Sequence, residues 1–427
     1  MNTDLHTSQA QPLDLVKGLQ SSKLAQDLYK KKSLIDRAEL LKKMSDFILE
    51  NQKPMAEDIA TEQKLPFSFV EAEIIQALKT YLDHLSQEVT QFPDVKTRLP
   101  IGVVAASFQH QLLFPRLIQT IANTLASGNS LMANLPSSGS ESLHWCKKIL
   151  ESVGIPEGLV TLLVGNTTEI SNLLSAHPGI SAYIYYGTTG AAQGFMLKAM
   201  QKQKKVQFFL ESKNSCLIHP DFDFENNISQ ILQPFLIGQG QLNINCHRMF
   251  ISQNQEKKFY EVLKDEMNRL KVSSSVNDSS PWTHLYGDEN LQTWKKSVAQ
   301  VPTDSGKILW GGSQEKDLLV QPTWTQDLSN CSEMQQHSLS SPLFVVTAVK
   351  YTHEMIKWSN TGYLGHSAVI WGPEEKAQNL AAQLQVGHVH INQWTDFLNM
   401  GTPLKQSFWG NPDLKWSGTF YSDVKKL

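Results

Sequence analysis

Several features that would assign a function at once are missing from this chain. Its 427 residues hold only four cysteines, Cys146, Cys216, Cys246 and Cys331. They lie far apart, in no metal-ligand spacing, so neither a disulfide framework nor a metal site is expected. Neither sign of charge dominates: 38 Lys and Arg face 41 Asp and Glu, a net charge of -3. That balance argues against nucleic acid and against an anionic membrane surface as partners. No apolar run approaches the roughly 18 residues of a membrane span. The start, "MNTDLHTSQAQPLDL", has no basic region followed by an apolar stretch, so no secretory signal is expected and a cytoplasmic location is. No internal repeat is visible.

What is present is the material of a globular protein. Hydrophobic residues make up 41% and charged residues 19%, and the length suits two or three domains. Up to about Val89 the pattern is helical. "SLIDRAELLKKMSDFILE" puts Ile35, Ala38, Leu41, Met44 and Ile48 on one face, with a capping box at Ser33 and Asp36. A second helical stretch covers about Phe69 to Val89. From Ile101 the rhythm changes to strands alternating with helices of about 10 to 15 residues. The strands are "IGVVAAS", "SLMAN", "LVTLLVG", "SAYIYY" and "KVQFFL". This alternation predicts a doubly wound parallel sheet, which binds ligands outside the carboxyl ends of its strands. Those ends carry Ser107 to Gln111, Asn134, Gly165, Gly187 with Thr188, and Glu211. A second α/β segment follows, with strand candidates "HRMFIS", "KILWGG", "PLFVVTAVK", "SAVIWG" and "GHVHIN".

One stretch raises the question of catalysis. "GQGQLNINCHR" runs from Gly238 to Arg248 and contains Cys246. Its surroundings, taken with "PIGVVAAS", "ASGNSLMANLPS", "GIPEGLVTLLVG", "YYGTTGAAQG", "FLESKNSCLIHPDFD" and "QVGHVHIN", resemble the aldehyde dehydrogenase superfamily over nearly the whole chain. The resemblance implies two Rossmann-type domains, one binding the cofactor and one catalytic, with a short bridging or oligomerisation element. It suggests boundaries at 1–210, 211–395 and a returning tail at 396–427. It also implies a mechanism in which a cysteine thiolate attacks an aldehyde, hydride passes to NAD or NADP, and a glutamate activates water.

Placed on that pattern, the nucleophile's position after Gly240-Gln241-Leu242 is Asn243, with Arg248 five residues on. Cys246 comes three residues late, and its plain reading is a small, half-buried core residue. Glu211 takes the general-base position and His110 that of the oxyanion donor. Asn134 and Ser137 replace the lysine and the acidic residue beside the cofactor ribose. "SLSSP" replaces "EiFGP", putting Ser338 and Ser340 at the nicotinamide end. "ELGG" is contracted to "ES". Gly165, Gly187 and Thr188 keep the phosphate end better than the nicotinamide end.

The resemblance therefore implies a degenerate member that binds NAD or NADP weakly at most. An active NAD(P)-dependent oxidoreductase using Glu211, His110 and Cys246 is one alternative, and a pure interaction scaffold is another. The family's long hairpin before the "PiGVV" strand is here only "TQFPDVKTR". That leaves a homodimer through the second domain as the assembly open to the chain.

Overall fold

The computed structural model describes residues 12–91, 98–109, 111–272, 281–339, 341–395, 402–410 and 420–424. Contacts divide the chain into two units. One comprises Met1–Gln63, Val70–Leu210 and Trp409–Leu427, and the other Lys64–Phe69 and Glu211–Phe408.

The first unit begins with helices. Ser33 accepts from the Asp36 amide while Asp36 accepts from the Ser33 amide, closing the capping box of helix Leu34–Glu50. The stretch expected as one helix over Phe69 to Val89 is interrupted. A π-helical segment at Val70–Gln76 precedes helix Ala77–Thr90. The wider turn brings Val70, Ile74 and Ile75 all into the core.

The sheet of this unit places Lys205–Phe209, Ala182–Tyr186, Val103–Phe108, Ser130–Leu135 and Val160–Val164 side by side, all parallel. Numbered along the chain and read from Val160–Val164, these five strands run 3-2-1-4-5 across the sheet. The order reverses between Val103–Phe108 and Ala182–Tyr186, which makes that junction the switch point. Every residue of Val103–Phe108 and of Ser130–Leu135 is buried, as strands covered on both faces must be. Tyr183, Tyr185, Phe195 and Phe208 form the aromatic part of this core, with Leu15 and Leu19 from the first helix packed on it.

The second unit carries a seven-stranded sheet. Its order is His388–Ile391, Ser367–Trp371, Asn214–Ile218, Cys246–Ser252, Leu343–Val349, Thr323–Gln326 and Lys307–Trp310. All neighbours are parallel except the last pair, which is antiparallel. Leu217, Phe250, Val349 and Ile370 build one side of its core, and Phe235, Trp324 and Phe344 cluster elsewhere in the unit. Among the described residues no helix is long and apolar enough to cross a membrane.

Candidate functional site

In the second unit the stretch that drew attention in the sequence is a loop between helix Phe224–Leu236 and strand Cys246–Ser252. Three successive residues, Gly238, Gln239 and Gly240, have left-handed backbones with φ of 67°, 54° and 64°. At Gly240 a Cβ would stand 2.8 Å from the Phe344 ring, so close packing as well as conformation calls for glycine.

Beyond these residues, side-chain amides hold the chain. Gln241 Oε1 accepts from the Tyr286 amide at 3.1 Å. Asn245 Oδ1 accepts from the Leu242 amide at 2.7 Å, and its Nδ2 donates to the carbonyls of Pro234 and Ile237. Asn214 Nδ2 donates to the carbonyls of Asn243 and Asn245, each at 3.0 Å. Asn243 is thus fixed through its own backbone, with its side chain half-buried. Asn214 and Asn245 were not singled out from the sequence. The only signal for them is the density of asparagine around a turn, where that side chain readily replaces a backbone partner.

Cys246 is not on the loop. It is the first residue of its strand, opposite Asn214, and 0% exposed. Burial pushes its thiol well above the ordinary range, and the neighbouring Cys216 adds to the effect. A thiol so placed stays protonated and unreactive. The next two residues also point into the protein. His247 is held at Gly240 O at 2.8 Å, and burial lowers its pKa to about 3, so the ring is neutral. Arg248 is 3% exposed and donates to the carbonyls of Lys213, Trp358 and Ser359. Burial lowers it to about 10, which leaves it cationic at neutral pH.

Glu211 stands half-buried just past strand Lys205–Phe209 and three residues before strand Asn214–Ile218. Between them lies Lys213, another residue that sequence reasoning passed over. It is 2% exposed, and its Nζ has no hydrogen-bond partner among the described residues. Burial, and after it the Arg248 charge, holds its pKa well below the usual lysine range. Ser338 is half-buried in the segment after helix Glu333–Gln336. Ser340 lies outside the described residues, as does His110.

In the first unit the strand ends carry the remaining candidates. Asn134 is 0% exposed. Its Nδ2 donates to Thr167 O at 2.9 Å and to Ser171 Oγ at 3.1 Å, so the amide expected at a ribose is turned into the protein. Ser137 is exposed in the turn that follows. Gly165 is half-buried, directly after strand Val160–Val164. Gly187 and Thr188 follow strand Ala182–Tyr186 at the switch point and lead into helix Thr189–Gln201. Thr188 occupies the N-cap with extended backbone, but its side chain makes no cap hydrogen bond. Across the junction the Gln109 amide donates to Tyr186 O at 3.2 Å.

The model of the aldehyde dehydrogenase family matches residues 3–427. The chain belongs to that family. Among its relatives is the 2-aminomuconic semialdehyde dehydrogenase of Danio rerio, 24% identical over 93% of this chain and 86% of the relative. Another is the succinate semialdehyde dehydrogenase of Acinetobacter baylyi, 22% identical over 86% and 79%. Solved structures agree on the fold. An NAD+ complex of a Bacillus cereus aldehyde dehydrogenase superposes with a TM-score of 0.88 at 20% identity, covering 98% of this chain and 89% of that one. An NAD+ complex of the Staphylococcus aureus betaine aldehyde dehydrogenase gives 0.89 at 18% identity, covering 98% and 88%. The doubly wound α/β architecture expected from the sequence is therefore the family's.

Proposed function

We propose that this aldehyde dehydrogenase family member does not oxidise aldehydes, and that it is a degenerate relative built on the enzyme's scaffold. One observation carries the reading. The loop that bears Asn243, which its spacing from Gly240-Gln241 assigns to the nucleophile's position, is firmly bonded, while the nearest thiol in sequence, Cys246, is sealed in the sheet. A carboxamide is not a nucleophile at neutral pH, so no thiohemiacetal forms and no hydride has a carbon to leave. Losing the nucleophile of a hydrolase costs on the order of a millionfold in turnover, which gives the scale of the deficit. A slipped alignment does not rescue the chemistry. Gly238-Gln239 as the reference pair would put Gln241 at the position, and Gln241 is buried and bonded to Tyr286.

The cofactor side supports the same reading. The residues present fit a dinucleotide poorly. Asn134 is engaged inside the protein, Ser137 and Ser338 carry no charge, and the glycine at the switch point is already crowded. Glu211 keeps the place of the general base but has no thioester to hydrolyse.

The test is a turnover assay with NAD and with NADP. Semialdehydes belong in the panel because two relatives are named for acting on them, beside aliphatic and aromatic aldehydes. Absorbance of reduced cofactor should stay at background for all of them. Steady turnover that vanishes in Asn243→Ala or Cys246→Ala would sink the proposal and favour an active oxidoreductase.

A further inference from the structure

We propose that this chain closes its own dinucleotide crevice: the side chains of Gln109 and Tyr185 fill the space at the switch point of the first sheet where a pyrophosphate would pass. The inference rests on the degenerate reading above and says which residues keep the cofactor out.

In a doubly wound sheet a pyrophosphate lies at the switch point, against the start of the next helix, and a glycine there lets it come close. Gly187 holds that place, first after strand Ala182–Tyr186 and two residues before helix Thr189–Gln201. Its missing side chain, however, leaves no opening. A Cβ on Gly187 would stand 2.3 Å from Tyr185 Oη, 2.5 Å from Tyr185 Cζ and 2.8 Å from Gln109 Cδ. All three distances are shorter than van der Waals contact. The glycine is thus needed to accommodate the protein's own phenol and amide, the phenol from strand Ala182–Tyr186 and the amide from the residue just past strand Val103–Phe108.

The two groups are coupled and unequally free. Gln109 Nε2 lies 3.5 Å from Tyr185 Oη, a long contact that joins them across the junction. Tyr185 is anchored from below. Its ring packs edge-on against Phe195 at 5.3 Å and lies 5.7 Å from Phe208, so it cannot leave without opening the core. Gln109 is half-buried, with its backbone amide tied to Tyr186 O and its side chain held by the long contact to Tyr185 Oη. Gln109 is therefore the movable half of the closure and Tyr185 the fixed half. Behind them the start of helix Thr189–Gln201 is not capped by the Thr188 side chain. Clearing the crevice should expose amides suited to a phosphate.

The experiment is calorimetric titration of the full chain with NAD, ADP-ribose and adenosine. The proteins are the parent, Gln109→Ala, Tyr185→Phe, and the double variant. Tyr185→Phe keeps the ring and its packing, and Gln109→Ala keeps the backbone bond, so thermal midpoints near the parent's should verify that each folds. The expected result is little or no heat for the parent up to about 1 mM ligand. Gln109→Ala and the double variant should bind NAD and ADP-ribose at least about tenfold more tightly than the parent, with a smaller gain in Tyr185→Phe alone. Adenosine, which has no phosphate, should gain nothing. The proposal is overturned if the variants match the parent, if the parent already binds NAD as tightly as they do, or if adenosine gains as much as NAD. Failure here is distinct from failure of the degenerate reading, which is decided by aldehyde turnover alone.

Discussion

The loop at Gly238 to Asn245 and the strand ends of the first sheet are held in opposite ways. On the proposed reading the loop is firmly framed and differs in one reactive group. Gln241, Asn245, Asn214 and His247 brace it through seven hydrogen bonds around Asn243. At the strand ends the backbone keeps its topology while side chains turn inward. Asn134 bonds to Thr167 and Ser171, and Gln109 leans on Tyr185. A backbone brace is insensitive to the identity of the group it presents, so a nucleophile can be exchanged without disturbing the fold. A ligand-facing side chain with nothing to hold finds partners inside, because a buried polar group left unpaired is costly. A single substitution should therefore return a reactive thiol to the loop, whereas opening the strand ends should admit a phosphate without restoring the ribose contacts.

The largest expected effect breaks the comparison at the loop. Asn243→Cys, made on a Cys331→Ser background, should place one reactive thiol where Asn243 now stands half-buried. Of the native cysteines Cys146, Cys216 and Cys246 are buried and only Cys331 is exposed. Iodoacetamide should then label the double variant at one site, read by mass spectrometry, and leave the Cys331→Ser parent almost unlabelled, a difference of orders of magnitude in rate. NAD reduction should nevertheless stay at background, because hydride transfer needs the nicotinamide held about 3 to 3.5 Å from the carbon. Robust NAD reduction in this variant would mean that the cofactor side is intact, and the contrast between the two regions would collapse.

A smaller effect concerns Lys213, the buried amine that precedes Asn214 in the chain. Its amine is held well below the usual lysine range by burial and by Arg248. In the unfolded chain a lysine titrates near about 10.4. Below that pH the unfolded state takes up a proton that the folded state refuses, so this residue opposes folding increasingly as pH falls. Above it the penalty disappears. Lys213→Met should therefore raise the thermal midpoint at pH 7, and the gain should shrink to nothing toward pH 10.5. Equal destabilisation at every pH would show instead that the amine makes a favourable contact.

How far all this could be read beforehand follows the same division. The strands from Val103 to Phe209 were legible because fully buried parallel strands are continuous apolar runs set between helices with clear stops. Gly154, for example, ends helix Ser140–Ser152 with a φ of 65°. Strand Asn214–Ile218 was not, since "NSCLI" is short, polar at its start and distinguished only by its neighbours in the sheet. The π-helical turn at Val70–Gln76 carries no mark in the residues either. At the site, spacing alone carries the proposal that Asn243 takes a cysteine's place, whereas the sealed position of Cys246 appears only in the sheet. The direction of Asn134, the crowding of Gly187 by Tyr185 and the isolation of Lys213 were not, because each depends on residues that meet only through the sheet.

The smallest expected effects test the strand ends. Asn134 and Ser137 were paired in the sequence as substitutes for two charged ribose contacts, yet they stand in unlike surroundings. Asn134 is buried with two hydrogen bonds, whereas Ser137 lies exposed in a turn. Asn134→Ala leaves Thr167 O and Ser171 Oγ without their donor and should cost about 1 to 2 kcal/mol in denaturant unfolding. Ser137→Ala should stay within about 0.5 kcal/mol of the parent, as exposed substitutions do. Affinity separates structure from recognition once the crevice is opened by Gln109→Ala. In that background Asn134→Ala should leave NAD binding unchanged, because an amide facing helix Thr167–Ala176 cannot also face a ribose. A loss of severalfold or more would mean that Asn134 swings outward when a dinucleotide arrives. The inward turn would then be a resting position, and the first sheet would be as readily restored as the loop.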